Sequence, residues 1–256
     1  MSGTATFTRA ETLAMERAAA RAWPPLRVVD VDGWQARLSG GGSRRANSLL
    51  PLAFSGGDPE RAIDTVEGLY RAEGLPTYVQ VSAIAEPHDL DARLARRGYA
   101  LEEPCLLLAK RLSPSTAMMP DGVELADAPS PDWLAVYGEP LDAARRAAAP
   151  AVLARVPKLR AFFLLRDGPR PIATALGVLS PDGVAVVECV ATLAAARRSG
   201  GARRIMHALE AWASGRGAWC ASLQVVTANA PARALYEKRG YTEAGRYHYR
   251  RRDRDR

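Results

Sequence analysis

Along this chain the spacing of apolar residues switches repeatedly between the 3.6-residue period of helices and the two-residue period of strands. A helical period runs from Glu11 to Trp23. Strand-like runs follow at 26–40 and 44–54, joined through Gly40 to Gly42. Asp58 and Pro59 read as an N-cap with proline in the first turn, opening a helix whose Ala62, Ile63, Val66, Leu69 and Tyr70 share one face. A strand at 76–83, a helix ending at Gly98 and a strand at 100–112 complete the first half.

The stretch Leu112–Gly122, rich in proline and serine, breaks the pattern and is read as a domain boundary, with one domain at 1–116 and a second at 117–256. Beyond it, apolar runs at 161–166, 171–179 and 183–192 are separated by turn signals at Asp167-Gly168 and Pro181-Asp182-Gly183, which predicts an antiparallel meander. Next comes a helix with Ala202, Ile205, Met206, Leu209 and Trp212 at helical spacing, then a strand at 222–228. A helix from about Ala230 to Arg239, stopped by Gly240, precedes a last strand at 241–250. The segments ARLARRGYALEE (92–103) and RALYEKRGYTEA (233–244) echo each other in sequence and in the order of elements around them, as an internal duplication would. The predicted fold is α/β: a mixed, mainly antiparallel sheet flanked by helices, in two tandem related halves.

Composition narrows the class. Hydrophobic residues at 48% and charged residues at 25% are those of a folded domain, and no apolar run approaches the ~20 residues of a membrane span. The amino-terminal stretch carries Glu11 and Glu16 and lacks the apolar core of a secretion signal, so a cytoplasmic protein is expected. Cys105, Cys189 and Cys220 have no CxxC spacing, and His88, His207 and His248 are scattered, so neither disulfides nor a metal site is expected. The net charge is +7 and only Lys110, Lys158 and Lys238 of the 35 basic residues are lysines. Such an arginine surplus suits a polyanion: a nucleic acid, a membrane surface or a phosphate-bearing ligand.

The segment 188–213, ECVATLAAARRSGGARRIMHALEAWA, points to the last of these. An apolar strand ends at Thr192, a loop carries Arg197, Arg198, Ser199, Gly200 and Gly201, and a helix begins near Ala202. Glycines let backbone amides approach a phosphate, the helix N-terminus adds partial positive charge, and arginine donates charge-assisted hydrogen bonds. A turn flanked by solvated arginines is the plainer alternative. A Walker loop is excluded because GxxxxGK[ST] is absent, and a dinucleotide fingerprint because GxGxxG within a parallel unit is absent.

Arg197-x-x-Gly200-x-Ala202 resembles the acyl-CoA pyrophosphate signature [Q/R]xxGx[G/A] of the GNAT superfamily of N-acetyltransferases. The string from Asn229 through Leu235, Tyr236 and Lys238 to Gly240 and Tyr241 resembles that superfamily's second cofactor-contacting motif, and the resemblance covers about residues 120–250. The resemblance implies acetyl-CoA as acyl donor and a small-molecule or peptide amine as acceptor, with direct attack, no covalent enzyme intermediate and no metal. It implies that backbone groups of Val190, Ala191 and Thr192 bind the pantetheine arm and that the amides from Arg198 to Ala202 cradle the pyrophosphate. Asn229 would contact the pantetheine, and Tyr236 would protonate the departing thiolate.

Strand alternation puts Glu188 on the face of Val190 and Thr192, where a carboxylate could act as general base through a water. Pairing with an arginine is its other reading, and core packing is that of Tyr236. His248, Tyr247 and Tyr249 are secondary substrate-site candidates, and Arg44, Arg45 and Asn47 could line the acceptor pocket. Aligning Gly98 with Gly240 sets Leu94 opposite Tyr236 and Pro87 opposite Asn229, so the first half reads as a degenerate copy without a cofactor site. A non-catalytic acyl-CoA-binding module is the alternative function. Nucleic-acid binding is disfavoured because the charges of the tail RYHYRRRDRDR partly alternate, as in a frayed, solvated terminus. A homodimer stays open.

Overall fold

The computed structural model describes residues 7–114 and 119–253. In chain order the elements are α1 (Arg9–Ala22), β1 (Arg27–Val31), β2 (Trp34–Leu38), β3 (Leu49–Leu50), α2 (Pro59–Ala72), β4 (Thr77–Ser82), α3 (Leu90–Arg96) and β5 (Ala100–Arg111). They continue with β6 (Val123–Ala126), α4 (Pro131–Gly138), α5 (Ala143–Leu153), β7 (Arg160–Asp167), β8 (Arg170–Leu179), β9 (Val184–Thr192), α6 (Gly201–Ser214), β10 (Cys220–Val226), α7 (Ala230–Lys238) and β11 (Thr242–Arg252). The mixed, mainly antiparallel sheet expected from the sequence is present, flanked by helices.

Local chemistry accounts for most boundaries. α1 opens on a capping box in which the Thr8 hydroxyl accepts from the Glu11 amide while the Glu11 carboxylate accepts from the Thr8 amide. Asp58 caps α2 by accepting from the Glu60 and Arg61 amides. The run at 26–40, read as one strand, is a hairpin: Asp32 (φ 52°) and Gly33 (φ 87°) both adopt the left-handed region that a two-residue primed turn requires. The run at 44–54 is mostly not strand; a 3-10 turn occupies Arg44–Ala46 and only Leu49–Leu50 pair. β6, α4 and α5 have no counterpart in the sequence reading.

All eleven strands join one sheet in the order β1-β2-β3-β4-β11-β5-β10-β9-β8-β7-β6. The halves are therefore interleaved. β5, from the first half, lies between β10 and β11, and β11, from the second, lies between β4 and β5. The proposed boundary at 116/117 falls outside the described residues. The stretch Tyr247–Arg251, expected as part of a frayed tail, belongs to an interior strand with neighbours on both sides; residues 254–256 lie outside the described residues. Its arginines pair with carboxylates of the fold, Arg250 with Asp91 and Arg251 with Glu102, and the next, Arg252, with Glu67.

Alternation along the strands sends apolar residues to both faces. On one face α6 and α7 cover Leu106, Leu108, Ala173, Ala185 and Leu223, and α2 and α3 cover Trp34, Ala36, Val79 and Val81. On the other, α1 and α4 cover Leu107, Ala109, Leu176, Val184 and Val186. No described helix is long and apolar enough to cross a membrane.

Candidate functional site

The sheet opens at one place. β9 and β10 run parallel and pair only over Val184–Val186 and Cys220–Ser222, then diverge. Beyond that point β9 keeps β8 on one side and β10 keeps β5 on the other, so the facing edges of 187–192 and 223–226 have no strand between them. Val190, Ala191 and Thr192 lie on the open edge of β9, and the buried Thr192 hydroxyl has no partner.

The chain leaves β9 into the glycine loop that precedes α6. Arg198 (φ 64°) and Gly200 (φ 85°) both take left-handed backbone, the second as the N-cap of α6 with no side chain capping it. The amides of Arg198, Ser199, Gly200, Gly201, Ala202 and Arg203 donate to no described acceptor, two more than the four a helix start leaves free. Arg197 and Arg198 are exposed and pair with no described carboxylate. Six amides without a described acceptor, a helix N-terminus and two guanidinium groups without a paired carboxylate make a loop whose chemistry would suit a diphosphate.

Across the opening, Tyr236 on α7 is buried, 5.9 Å from the ring of Tyr241, and its hydroxyl bonds no described residue. Burial, and secondly the charge of Glu188, push its pKa up to about 12. Asn229 caps α7, its side-chain oxygen accepting from the Ala232 amide at 3.2 Å.

Glu188 does not share a face with Val190. Cys189 has φ 54°, and β9 bulges there: Glu188 opposes Leu176 while Ala191 opposes Thr174. The extra residue reverses the alternation, so Cys189 packs on the α1/α4 side with Glu188, and Val190 packs on the α6 side. Both Glu188 oxygens accept from Arg45, at 2.5 and 2.7 Å, and the Arg45 guanidinium lies over Trp23 at 5.1 Å.

Beside this pair is a cavity of about 250 Å³ whose walls include Arg44, Arg45, Tyr137, Gln224, Tyr247 and Tyr249. Tyr247 donates to the Gln224 side-chain oxygen at 3.2 Å, and the buried Tyr249 hydroxyl has no partner. Arg44 sits 5.7 and 5.9 Å from the rings of Tyr78 and Tyr249 and pairs with Glu103 at 2.8 Å. The other two sequence candidates are elsewhere. His248 turns to the opposite face and meets Asp91 at 2.7 Å, because its neighbours in β11 take the cavity side. Asn47 is spent on the loop 39–43, accepting from the Ser39 and Gly41 amides and donating to the Gly41 and Ser43 carbonyls. Trp23, Tyr137 and Gln224 were missed by the sequence reading, since no motif marks them and the cavity takes walls from both halves.

That loop meets α5 directly. At Gly42 (φ 78°) an added Cβ would lie 2.4 Å from the Ala148 Cβ. Gly42→Ala is expected to destabilise the fold by roughly 1–3 kcal/mol through left-handed strain and the clash. An unchanged urea midpoint would show that the loop can move away at no cost.

Comparison with known proteins supplies the family. The profile of the family described as "Probable histone acetyltransferase Rv0428c C-terminal" matches residues 9–250. YobR of Bacillus subtilis, named an N-acetyltransferase, is 28% identical over 92% of this chain and 96% of its own. The probable histone acetyltransferase Rv0428c of Mycobacterium tuberculosis is 29% identical over 80% of this chain, which spans only 63% of that relative's length. A GCN5-related N-acetyltransferase from Kribbella flavida superposes with TM-score 0.67 at 21% identity, covering 94% of this chain and 95% of its own. A tandem GNAT protein of clavulanic acid biosynthesis superposes with TM-score 0.62 at 12% identity, covering 98% of both chains. This chain, with its opened sheet and glycine loop on a GNAT fold, belongs to the Rv0428c C-terminal acetyltransferase family, and is an acyltransferase.

Proposed function

We propose that the protein transfers an acetyl group from acetyl-CoA to a primary amine by direct attack within a ternary complex. The observation that carries this is that the diphosphate-suited loop, the unpaired edge of β9 and the cavity beside Arg45 all lie at one opening in the sheet. The diphosphate would rest on the amides from Arg198 to Ala202 with Arg197 and Arg198 beside it. The pantetheine arm would lie along Val190, Ala191 and Thr192, within reach of the Asn229 side-chain amide. The thioester then arrives near Glu188 and Tyr236, and the acceptor enters from the cavity side.

A Tyr236 phenol with a pKa near 12 stays protonated at neutral pH. It stabilises the departing thiolate by donating a hydrogen bond, because full transfer to a thiolate of conjugate pKa about 8.5 would run uphill. Tyr236→Phe is expected to lower kcat about 100-fold with the acetyl-CoA Kd unchanged; full turnover would remove the hydroxyl from the mechanism. Both Glu188 oxygens already accept from Arg45, which ties the carboxylate to the cavity wall. We therefore assign it the task of fixing Arg45, and with it the cavity wall, ahead of the general-base role.

The cavity admits a single side chain or a small amine, so both a free amine and a protein lysine are acceptor candidates; the name of the mycobacterial relative favours the latter. Thiol release from acetyl-CoA, followed across amino acids, polyamines and lysine peptides, tests the reading. Binding without release from any amine would favour a non-catalytic acyl-CoA-binding module.

A further inference from the structure

Behind the acceptor cavity is a second, much smaller one. It measures about 10 Å³, room for one water, and its lining includes Glu16, Arg37, Gln80, Arg45 and Gln224. Arg45 and Gln224 also line the acceptor cavity, so these two side chains form the partition between the spaces. Glu16 comes from α1, is 3% exposed, and its Oε2 is buried without a hydrogen-bond partner. An unsatisfied buried carboxylate oxygen is costly, and such a group facing a water-sized polar space is an exception that calls for a role.

The groups around it supply no counter-charge at salt-bridge distance. The Ser82 hydroxyl from β4 lies beside the carboxylate and lowers its pKa but is outside hydrogen-bond geometry, and Gln80 from β4 and Gln224 from β10 are uncharged. Arg37 from β2 donates to the Ala20 and Trp23 carbonyls, and Arg45 is committed to Glu188 on β9. Burial therefore dominates and pushes the Glu16 pKa up to about 7.

We propose that Glu16 is the resting place of the proton lost by the acceptor amine, which leaves the acceptor cavity through water passing the Arg45–Gln224 partition and ends on the Glu16 carboxylate. This rests on the amine-acetylation reading above. The step balances as R–NH₃⁺ plus carboxylate giving R–NH₂ plus carboxylic acid, the proton then returning to solvent between turnovers. Glu16 touches no substrate in this scheme and acts through water.

The test is the pH dependence of kcat/KM for the full chain, with acetyl-CoA and an amine found in the acceptor screen. The wild type should lose activity as pH falls through about 7, because protonated Glu16 accepts nothing further. Glu16→Gln should lower kcat at least about tenfold and abolish that limb, with acetyl-CoA affinity unchanged. Glu16→Asp should restore part of it. A merely structural Glu16 would leave the profile of Glu16→Gln like that of the wild type, and this result overturns the proposal. A second readout is independent of turnover. A buried acid with a raised folded pKa makes stability fall as pH rises from the ordinary carboxylate range to about 7, then level off. The melting temperature of the wild type should show that fall across the same range and that of Glu16→Gln should lack it; identical slopes would overturn the proposal even if the variant were inactive. Absence of thiol release from the wild type with every amine would overturn the acetylation reading along with it.

Discussion

Gly200→Asp is expected to weaken acetyl-CoA binding by at least about 100-fold, or roughly 2.7 kcal/mol, in a calorimetric titration. The left-handed backbone at this position (φ 85°) is tolerated by Asp and Asn better than by other side chains, and an added Cβ has open space, with Arg203 Nη2 at 3.7 Å as its nearest neighbour. The fold should therefore survive. The new carboxylate would sit among six free amides, take their hydrogen bonds and oppose the diphosphate charge. Gly200→Asn has nearly the same shape without the charge and should lose far less affinity. Equal affinity of the Asp variant and the wild type would remove this loop from the site.

Arg45→Met should destabilise the protein by about 3 kcal/mol in urea denaturation, the low end of the range for stranding one member of a buried ion pair. Glu188 is 6% exposed on its side chain while Arg45 is 26% exposed, so the stranded carboxylate carries most of the penalty. The double variant Arg45→Met with Glu188→Met should regain most of the loss, since no buried charge remains unpaired. A single variant that loses less than about 1 kcal/mol would mean that water already reaches Glu188. The pair also ties the two halves together, across 143 residues of chain, at the point where the sheet opens.

Much of the arginine surplus has a structural explanation. Arg93 and Arg97 bind Glu60, Asp64, Glu67 and Asp89, and Arg239 holds Glu210 with Lys110 beside it. Arg197 and Arg198 are among the described arginines that pair with no carboxylate, and they are the two that flank the glycine loop. Net charge alone could not distinguish them, because a sum over the chain does not record which charges are already neutralised by neighbours.

Local signals were legible wherever the physics is local. Helical period marked α1, α2 and α6, the Asp58-Pro59 cap marked the start of α2 and Gly240 the end of α7, and the glycine loop was readable because left-handed backbone and free helix amides depend on residues a few positions apart. The Asp32-Gly33 turn carries its own hairpin signal, masked by the longer apolar run around it. By contrast, the exchange of β5 and β11 between the halves depends on which long-range pairings bury the most apolar surface, and no local pattern encodes it. The face of Glu188 was decided by a single bulge residue, Cys189, since one inserted residue in a period-two element reverses every side chain beyond it. Glu16, Arg45, Gln224 and Tyr249 come from α1, the loop before β3, β10 and β11, too far apart in sequence for spacing to relate them. The sequence by itself determined most of the helices and strands, the family resemblance and the arginine-glycine loop before α6; only the tertiary structure decided β6, α4 and α5, the cavity beside Arg45 and the buried carboxylate behind it, because these depend on strands and helices that meet through long-range packing.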